Sequence, residues 1–273
     1  MRKQPIHTTL SKEAYSILER YEHELGNKSA VLEKALMGMD KTRYKSRLNL
    51  RDSQISMKRI KTGIKGFDEL VEGGIPEGFV TIVTGPPGGG KTTFSMQFLL
   101  EGAEEKCRGM FFSFEEDADQ IAKQFARFGW DIRKYVESGW MEIYGMSMLT
   151  IEEIIDIIET YKPKRVVFDS MNVFYETDNL RRSAAWRNLF KLLKQERITS
   201  LVVTEKANGM EVKNFDDYDF MGDGIVFLDK TIVGKTVTHN LSVLKMRGTN
   251  VDSSPQEYVF TEKGLELTGW VVS

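Results

Sequence analysis

The segment Gly85-Pro-Pro-Gly-Gly-Gly-Lys-Thr92 constrains the fold of this chain more than any other. It fits the pattern G-x-x-x-x-G-K-[ST], follows the apolar run Val80–Thr84, and precedes a stretch with helical spacing. In this strand-loop-helix setting, glycines let backbone N–H groups point inward around phosphate oxygens, and the positive end of the helix adds to the attraction. The segment therefore predicts a nucleotide phosphate site. The alternative for such a motif is a chance glycine-rich turn.

Nine consecutive residues form the predicted nucleotide cradle. They are Gly85, Pro86, Pro87, Gly88, Gly89, Gly90, Lys91, Thr92 and Thr93. Lys91 is predicted to neutralise the β- and γ-phosphates, and the Thr92 hydroxyl is predicted to bind Mg²⁺. We therefore count Lys91 among the candidate catalytic residues and Thr92 among the candidate metal ligands.

Acidic residues end two further apolar runs. We expect Asp169, at the end of Arg165-Val-Val-Phe-Asp, to be the second protein anchor of Mg²⁺, since that ion takes few direct protein ligands. Glu115 and Glu116 end Met110-Phe-Phe-Ser-Phe, a strand that we expect beside the first strand of a doubly wound sheet. Neighbouring strand residues point oppositely, so only one carboxylate, which we take as Glu115, should polarise the attacking water. The alternatives are a turn residue for Asp169 and a solvated or helix-start carboxylate for Glu116.

Two cations follow near the end of the chain. Lys245 and Arg247 lie two residues apart on a predicted strand, so both can point to one face while Met246 points to the other. Such a pair suits a phosphate, and it could stabilise the transition state of a neighbouring subunit's nucleotide. The alternative is a pair of edge-strand cations that discourage aggregation.

From about Ile60 onward, strand-like runs alternate with helical stretches. The strand-like runs are Val80–Thr84, Met110–Phe114, Val166–Phe168 and Leu201–Thr204, and the helical stretches include 91–106, 118–127 and 183–196. This alternation predicts an α/β fold with a parallel sheet covered by helices and a ligand at the carboxyl ends of the strands. Three later runs, Gly224–Leu228, His239–Lys245 and Glu257–Phe260, have no helices between them, which indicates an antiparallel extension of the sheet.

The first 40 residues have a different pattern. Residues 4–10 alternate as a short strand, Ser11 and Gly26 bound a first amphipathic helix, and Asn27 caps a second. A unit of about 40 residues cannot bury its own apolar faces, so we expect it to pair with a second chain.

The strand-helix-helix pattern over residues 3–39 resembles the ribbon-helix-helix family of DNA-binding dimers. The resemblance implies that strand residues read double-stranded DNA and that amides between the helices bind phosphate. By position these residues are Pro5, His7 and Thr9 on the strand, and Asn27, Lys28 and Ser29 between the helices. The alternative is a unit that only dimerises.

Charge divides the chain as well. The net charge is −2, yet residues 1–60 carry 13 Lys and Arg against 7 Asp and Glu. We therefore predict three parts: a small domain over residues 1–40, a basic linker over 41–59, and a nucleotide-binding domain over 60–273. Basic segments of this kind favour an anionic partner such as nucleic acid, although a solvated linker is the alternative.

Composition excludes a membrane-spanning class. The 273 residues are 41% hydrophobic and 29% charged, and no apolar run approaches the roughly 18 residues that a membrane span needs. The polar N-terminus also lacks the apolar core of a signal peptide. We therefore expect a soluble cytoplasmic protein with no membrane partner.

A series of motifs resembles the KaiC-like branch of the RecA/RadA ATPases over residues 60–270. In order, they are Gly63-Ile-Lys-Gly-Phe-Asp-Glu-Leu70, Gly73-Gly74, the phosphate loop, Phe114-Glu-Glu116, Phe128-Gly-Trp-Asp131, Asp169-Ser170 and Lys245-Met-Arg-Gly-Thr249. The resemblance implies a RecA-type core that binds ATP and Mg²⁺ and forms rings, commonly hexamers, with ATP between subunits. It also implies that Glu115 and Glu116 form a catalytic carboxylate pair and that Lys245 and Arg247 act in trans.

The resemblance has limits. Circadian KaiC resembles two such domains in tandem, whereas this chain has one and lacks a match to the phosphorylated segment of the second. Clock function and autokinase activity are therefore not implied. The expected function is Mg²⁺-dependent ATP hydrolysis coupled to DNA binding or regulation. The alternatives are a nucleotide-switched DNA-binding regulator with negligible turnover, and an ATP-dependent signalling or motor scaffold without DNA.

Overall fold

The structure, a computed structural model, describes residues 9–41, 57–145, 149–174, 184–206, 222–233 and 235–268. The chain divides into two compact units, Met1–Ile55 and Ser56–Ser273. The division at 1–40, 41–59 and 60–273 stays a prediction, because residues 42–56 lie outside the described part.

Two helices make up the described part of the first unit, α1 (Lys12–Leu25) and α2 (Lys28–Lys41). The caps predicted for α1 are confirmed: Ser11 Oγ accepts the Ala14 N–H at 3.2 Å, and Gly26 ends the helix in the left-handed region at φ 87°. The predicted strand over residues 4–10 falls mostly outside the described residues, and Thr9 and Leu10 are not in a strand.

Helix α1 exposes much of its apolar surface. Leu18 is buried, whereas the side chains of Tyr15, Ile17 and Tyr21 are 45%, 51% and 44% exposed. An apolar surface of this kind on a small unit supports the expectation that it pairs with a further surface.

The second unit is built on a nine-stranded sheet. Its strands are β3 (Val80–Gly85), β4 (Gly109–Ser113), β5 (Met141–Tyr144), β6 (Arg165–Asp169), β7 (Thr199–Glu205), β8 (Gly224–Val233), β9 (Thr236–Met246), β10 (Gln256–Thr261) and β11 (Gly264–Leu267). A separate two-stranded sheet pairs β1 (Arg59–Ile60) with β2 (Ile75–Pro76). The order across the large sheet is β11-β10-β9-β8-β3-β7-β6-β4-β5. The strands from β8 to β5 pair in parallel, and β8 to β11 pair antiparallel, so the predicted mixed architecture is confirmed.

Helices cover both faces of this sheet. They are α3 (Phe67–Leu70), α4 (Lys91–Glu104), α5 (Ala118–Ala126), α6 (Ile132–Glu137), α7 (Ile151–Tyr161) and α8 (Ala184–Gln195), with a short 3-10 helix at Met171–Phe174. One apolar cluster packs α4 and α5 against one face through Phe94 and Phe125, and the other packs α7 and α8 through Ile154 and Trp186. The fold is the RecA-type α/β core that the sequence predicted.

The expected position of β4 was wrong. We expected it beside β3, but β7 and β6 lie between them. Helix α4 packs on β3, β7, β6 and β4, so the connection from β3 to β4 crosses the two strands between them. Apolar runs identify buried strands but do not encode their order across a sheet.

Candidate functional site

The phosphate loop begins where β3 ends, at the carboxyl edge of the sheet. Gly85 closes β3 at φ 145°, and a Cβ there would lie 1.9 Å from the carbonyl oxygen of Leu228 on β8. Because that oxygen belongs to a paired strand, only glycine fits at this position. Gly90, at φ 83°, is the N-cap of α4, so the helix opens directly from the loop.

Aromatic side chains of the antiparallel strands support the loop from behind. The Tyr258 hydroxyl donates a hydrogen bond to the Gly89 carbonyl, and the Phe260 ring lies where a Cβ on Gly90 would clash at 2.5 Å. Burial, together with the charge of Asp229, raises the pKa of Tyr258, so its hydroxyl stays a neutral donor. The antiparallel extension therefore positions the phosphate loop.

Lys91, the first residue of α4, rests on the loop itself. Its Nζ donates to the carbonyls of Gly85 and Pro86, each at 3.0 Å, and lies 3.5 Å from Glu205 Oε1. Burial lowers the pKa of Lys91, and the charge of Glu205 opposes that effect. Lys91 is 6% exposed, so these protein oxygens, rather than water, surround its ammonium. A phosphate bound in the loop would take their place, because an ammonium forms charge-assisted hydrogen bonds with phosphate oxygens.

Asp169 ends β6 at the same edge of the sheet. Within the part of the chain that the structure describes, its buried Oδ2 has no hydrogen-bond partner. Burial raises the pKa of Asp169 to about 6, and a hydrogen bond from the Thr92 hydroxyl opposes this rise. The predicted metal residues Thr92 and Asp169 are therefore adjacent. The Asp169 Oδ2 atom, without a partner among the described residues, lies beside Thr92 of the phosphate loop.

A Mg²⁺ ion fits these two residues. The described residues contain no cluster of three or more His, Cys, Asp or Glu side chains that could hold a metal ion by themselves. Mg²⁺ commonly keeps several waters and uses one or two protein ligands together with substrate phosphates. One hydroxyl, one orphaned carboxylate oxygen and an adjacent phosphate loop match that donor set.

Glu115 follows the end of β4, which pairs with β6, and its side chain contacts the residue that follows β6. Its Oε1 accepts a hydrogen bond of 2.7 Å from Ser170, the residue after Asp169. Although two strands separate β4 from β3, the charge of Glu115 still acts on Lys91 and Asp169. The backbone N–H of Glu116 donates to Ser113 Oγ at 3.0 Å, which turns the chain at the end of β4.

Sequence reasoning missed Glu205, whose Oε1 lies 3.5 Å from Lys91 Nζ. It ends β7, pairs in register with Gly85, and its backbone N–H donates a hydrogen bond of 3.0 Å to the side-chain Oδ1 of Asn172. The signal was available: Glu205 is an acid that follows an apolar run, as Asp169 is. Without the strand order, nothing indicated that this run lies beside the phosphate loop.

Lys245 and Arg247 lie at the opposite, amino edge of the sheet. Lys245 Nζ donates to the Gly222 carbonyl at 2.7 Å, and Arg247 Nη1 lies 3.1 Å from Asp223 Oδ1. Met246 between them is buried and ends β9, whereas Arg247 follows the strand, so the shared face of the two cations stays a prediction. They are not brought to the phosphate loop of their own subunit.

The candidate DNA residues belong to the first unit. His7 lies outside the described residues, and Thr9 is exposed. Asn27 Oδ1 accepts the Ala30 N–H at 2.9 Å, so Asn27 caps α2 as predicted, and Ser29 is exposed in its first turn. Lys28 donates to the Tyr15 hydroxyl at 2.7 Å and lies within 3.7 Å of two α1 carboxylates. Its ammonium is thus held by its own unit.

Comparison with known proteins agrees with the class that this fold and site define, a RecA-type P-loop ATPase. The family described as the KaiC ATPase matches residues 60–269. The chain belongs to this family. Residues 10–43 match a family described only as an N-terminal domain, which does not test the ribbon-helix-helix resemblance.

Individual relatives agree. UPF0273 protein PF1931 of Pyrococcus furiosus is 33% identical over 77% of this chain and 93% of its own length. The circadian clock oscillator protein KaiC of Synechococcus elongatus is 33% identical over 78% of this chain, which spans only 44% of that protein. The crystal structure of KaiC-like protein PH0186 of Pyrococcus horikoshii superposes with a TM-score of 0.67 at 28% identity, covering 78% of this chain and all of that one.

None of the described helices is both long and apolar enough to cross a bilayer.

Proposed function

We propose that this chain binds Mg²⁺-ATP in the phosphate loop and hydrolyses it to ADP and phosphate. The observation that carries the proposal is the meeting of Lys91, Thr92, Asp169 and Glu115 at one edge of the sheet, with an unpartnered carboxylate oxygen among them. Perturbed titratable groups converging beside an anion cradle are typical of a catalytic site. ATP, rather than another nucleotide, follows from the family.

Each residue then has a separate task. Lys91 exchanges the carbonyls of Gly85 and Pro86 for the β- and γ-phosphates. Thr92 and Asp169 hold Mg²⁺, which neutralises phosphate charge when it is bound. The Ser170 hydroxyl orients the Glu115 carboxylate, which accepts a proton from the attacking water as the bond to the leaving ADP oxygen breaks.

Phosphate release by the full chain with Mg²⁺-ATP tests this proposal. We expect release to require Mg²⁺ and to vanish in Lys91→Ala. Glu115→Gln should still bind ATP but release phosphate at least about a hundredfold more slowly, in line with the loss of a general base. Glu116→Gln is the matched comparison, with a smaller expected loss. Unchanged release by Glu115→Gln would contradict its role, and ATP binding without any release would favour a nucleotide switch.

We also propose that the chain forms a ring, with six subunits as the expected number, in which Lys245 and Arg247 reach the ATP of a neighbour. Support comes from their position at the amino edge, away from their own phosphate loop. A head-to-tail interface can bring the amino edge of one subunit to the carboxyl edge of the next. Native mass measurement with ATP tests the assembly, and a monomer under those conditions would rule it out.

DNA binding by the first unit is a further part of the proposal. Its support is the excess of 11 basic over 7 acidic residues in positions 1–55. Fluorescence anisotropy of the full chain with mixed double-stranded DNA, at several salt concentrations, tests it. Binding that weakens steeply with salt is expected, because phosphate contacts release counterions. No binding at low salt would leave the first unit as an assembly device.

A further inference from the structure

A second cation, Lys230, lies beside the phosphate loop. Strand β8 pairs in parallel with β3 up to Phe227 and then continues past the end of β3 to Val233. Along a strand, side chains two residues apart share a face, so Lys230 points to the same face as Leu228. Leu228 belongs to the apolar cluster that packs α4, so this face carries the phosphate loop and its helix.

The distance to the loop is short. Lys230 Nζ lies 3.7 Å from the position that a Cβ on Gly88 would occupy. Gly88 is an exposed residue at the middle of the loop, and its φ of 77° belongs to the turned backbone that lets amides point inward. An ammonium at this distance reaches the loop with little more than a change of side-chain rotamer.

Among the residues that the structure describes, Lys230 has no acidic partner. No described carboxylate lies within ion-pair distance of its Nζ. The neighbouring Asp229 carboxylate accepts the Lys230 backbone N–H and the Thr231 hydroxyl instead. The residue opposite Lys230 on β9 is His239. Burial and the Lys230 ammonium lower the pKa of that imidazole, so a cation faces a neutral ring.

We propose that Lys230 is a second phosphate-binding cation, which contacts the nucleotide from the Gly88 side of the loop in the same subunit as Lys91. This proposal rests on the proposed ATP site and adds a residue to it. Backbone amides of the loop surround the α- and β-phosphates, whereas Lys91 reaches the β- and γ-phosphates. Lys230 therefore contributes to ADP and ATP binding alike, and Lys91 distinguishes the terminal phosphate.

Nucleotide titration of the full chain tests this contact. In Lys230→Ala, we expect the dissociation constants of ATP and ADP both to rise about tenfold, the effect of losing one charge-assisted hydrogen bond. Lys230→Arg keeps the charge and should stay within about threefold of the unmodified chain. The matched control is Lys235→Ala, which removes the same charge from the exposed turn between β8 and β9. It should leave both constants unchanged.

The imidazole of His239 gives a second readout that does not depend on hydrolysis. Lys230, Tyr258 and Phe260 face this ring, and only the first of them carries a charge near neutral pH. Nucleotide phosphate at Lys230 should offset the ammonium and raise the pKa of His239, measured by NMR titration with and without ADP. The same rise should be absent in Lys230→Ala.

The outcomes separate the two proposals. If the unmodified chain binds neither ATP nor ADP, the proposed nucleotide site fails, and the Lys230 contact fails with it. Suppose instead that the unmodified chain binds both nucleotides. The Lys230 contact alone is then overturned if Lys230→Ala has the same dissociation constants as the unmodified chain or as Lys235→Ala. An ATP-specific loss would also overturn it, because it would assign Lys230 to the terminal phosphate.

Discussion

Two aspartates with buried carboxylate oxygens, at opposite edges of the same sheet, are paired very differently. At the carboxyl edge, Asp169 keeps a buried oxygen without a partner among the described residues, and its pKa is raised to about 6. At the amino edge, the Asp223 carboxylate accepts the Val80 N–H at 3.2 Å, Lys194 Nζ at 2.9 Å and Arg247 Nη1 at 3.1 Å. Both aspartates have a carboxylate oxygen removed from water, but among the described residues only Asp223 has both of its oxygens paired.

The difference distinguishes a carboxylate that stabilises the fold through its hydrogen bonds from one whose remaining partner would be a ligand. A buried carboxylate oxygen without a partner destabilises the folded chain, and Mg²⁺ in the proposed site would remove that cost. Asp223, by contrast, joins the start of β3 to α8 and to the end of β9 with three donors. Arg247 pairs with Asp223 within its own fold, and in the proposed ring it would also contact the ATP of a neighbouring subunit.

Replacing Arg247 with alanine is the strongest test of this division, with the largest expected effect. If Arg247 acts on a neighbour's ATP, phosphate release should fall about a thousandfold while ATP still binds, as for a finger supplied in trans. Stability should fall by no more than about 1 kcal/mol, because the Arg247 side chain is 59% exposed. Phosphate release and thermal unfolding of the same preparation measure the two effects.

Lys194→Ala is the matched control for that substitution. Lys194 contacts the same Asp223 oxygen, so its loss should cost similar stability and leave phosphate release unchanged. Mixing Arg247→Ala with Lys91→Ala subunits should restore part of the activity, since some interfaces then combine an intact loop with an intact Arg247. Normal release by Arg247→Ala would show that the pair serves only its own fold.

Exchanging each aspartate for asparagine should have opposite effects on stability at the two edges. In the folded chain the raised pKa of Asp169 favours its neutral form, so wild-type stability falls as pH rises from about 4 to about 6. Asp169→Asn removes that effect and should stabilise the ATP-free chain by about 3 kcal/mol at pH 8 and by little at pH 4. It should also abolish Mg²⁺-dependent phosphate release.

Asp223→Asn is the comparison at the amino edge. It weakens two ion pairs whose cations are 42% and 59% exposed, so we expect a loss of about 1–2 kcal/mol at pH 8. Thermal unfolding across pH 4 to 8 measures both variants. A lower melting temperature for Asp169→Asn at pH 8 would contradict the view that Asp169 is incompletely satisfied without its ligand.

Local sequence patterns predicted those features whose residues lie close together along the chain. The phosphate loop, the end of β6 at Asp169 and the caps of α1 depend on residues within a few positions of each other, so spacing alone reveals them. The two-residue period of a strand also predicted a shared face for Lys245 and Arg247, which stays a prediction because Arg247 follows the end of β9.

Long-range contacts could not be predicted in this way. The hydrogen bond from Tyr258 to Gly89 joins residues 169 positions apart, and Lys230 and Glu205 approach the loop from strands whose place beside β3 local patterns do not reveal. The misplaced β4 has the same cause. The amino acids that surround the loop are ordinary strand residues, and only the strand order makes them part of a site.

Glu205, found only through that order, gives the smallest expected effect and the finest test of the carboxyl edge. Its Oε1 lies 3.5 Å from Lys91 Nζ, so in the ATP-free chain it competes with phosphate for the same ammonium. Glu205→Gln should tighten ATP binding about threefold, since an ion pair with a carboxylate that is 41% exposed contributes only about 0.5 kcal/mol. Glu196→Gln makes the same change before the amino end of β7, far from the loop, and should alter nothing. Should Glu205→Gln instead slow phosphate release a hundredfold at unchanged ATP affinity, Glu205 would be a second catalytic carboxylate, and the carboxyl edge would hold more of the chemistry than Glu115 alone supplies.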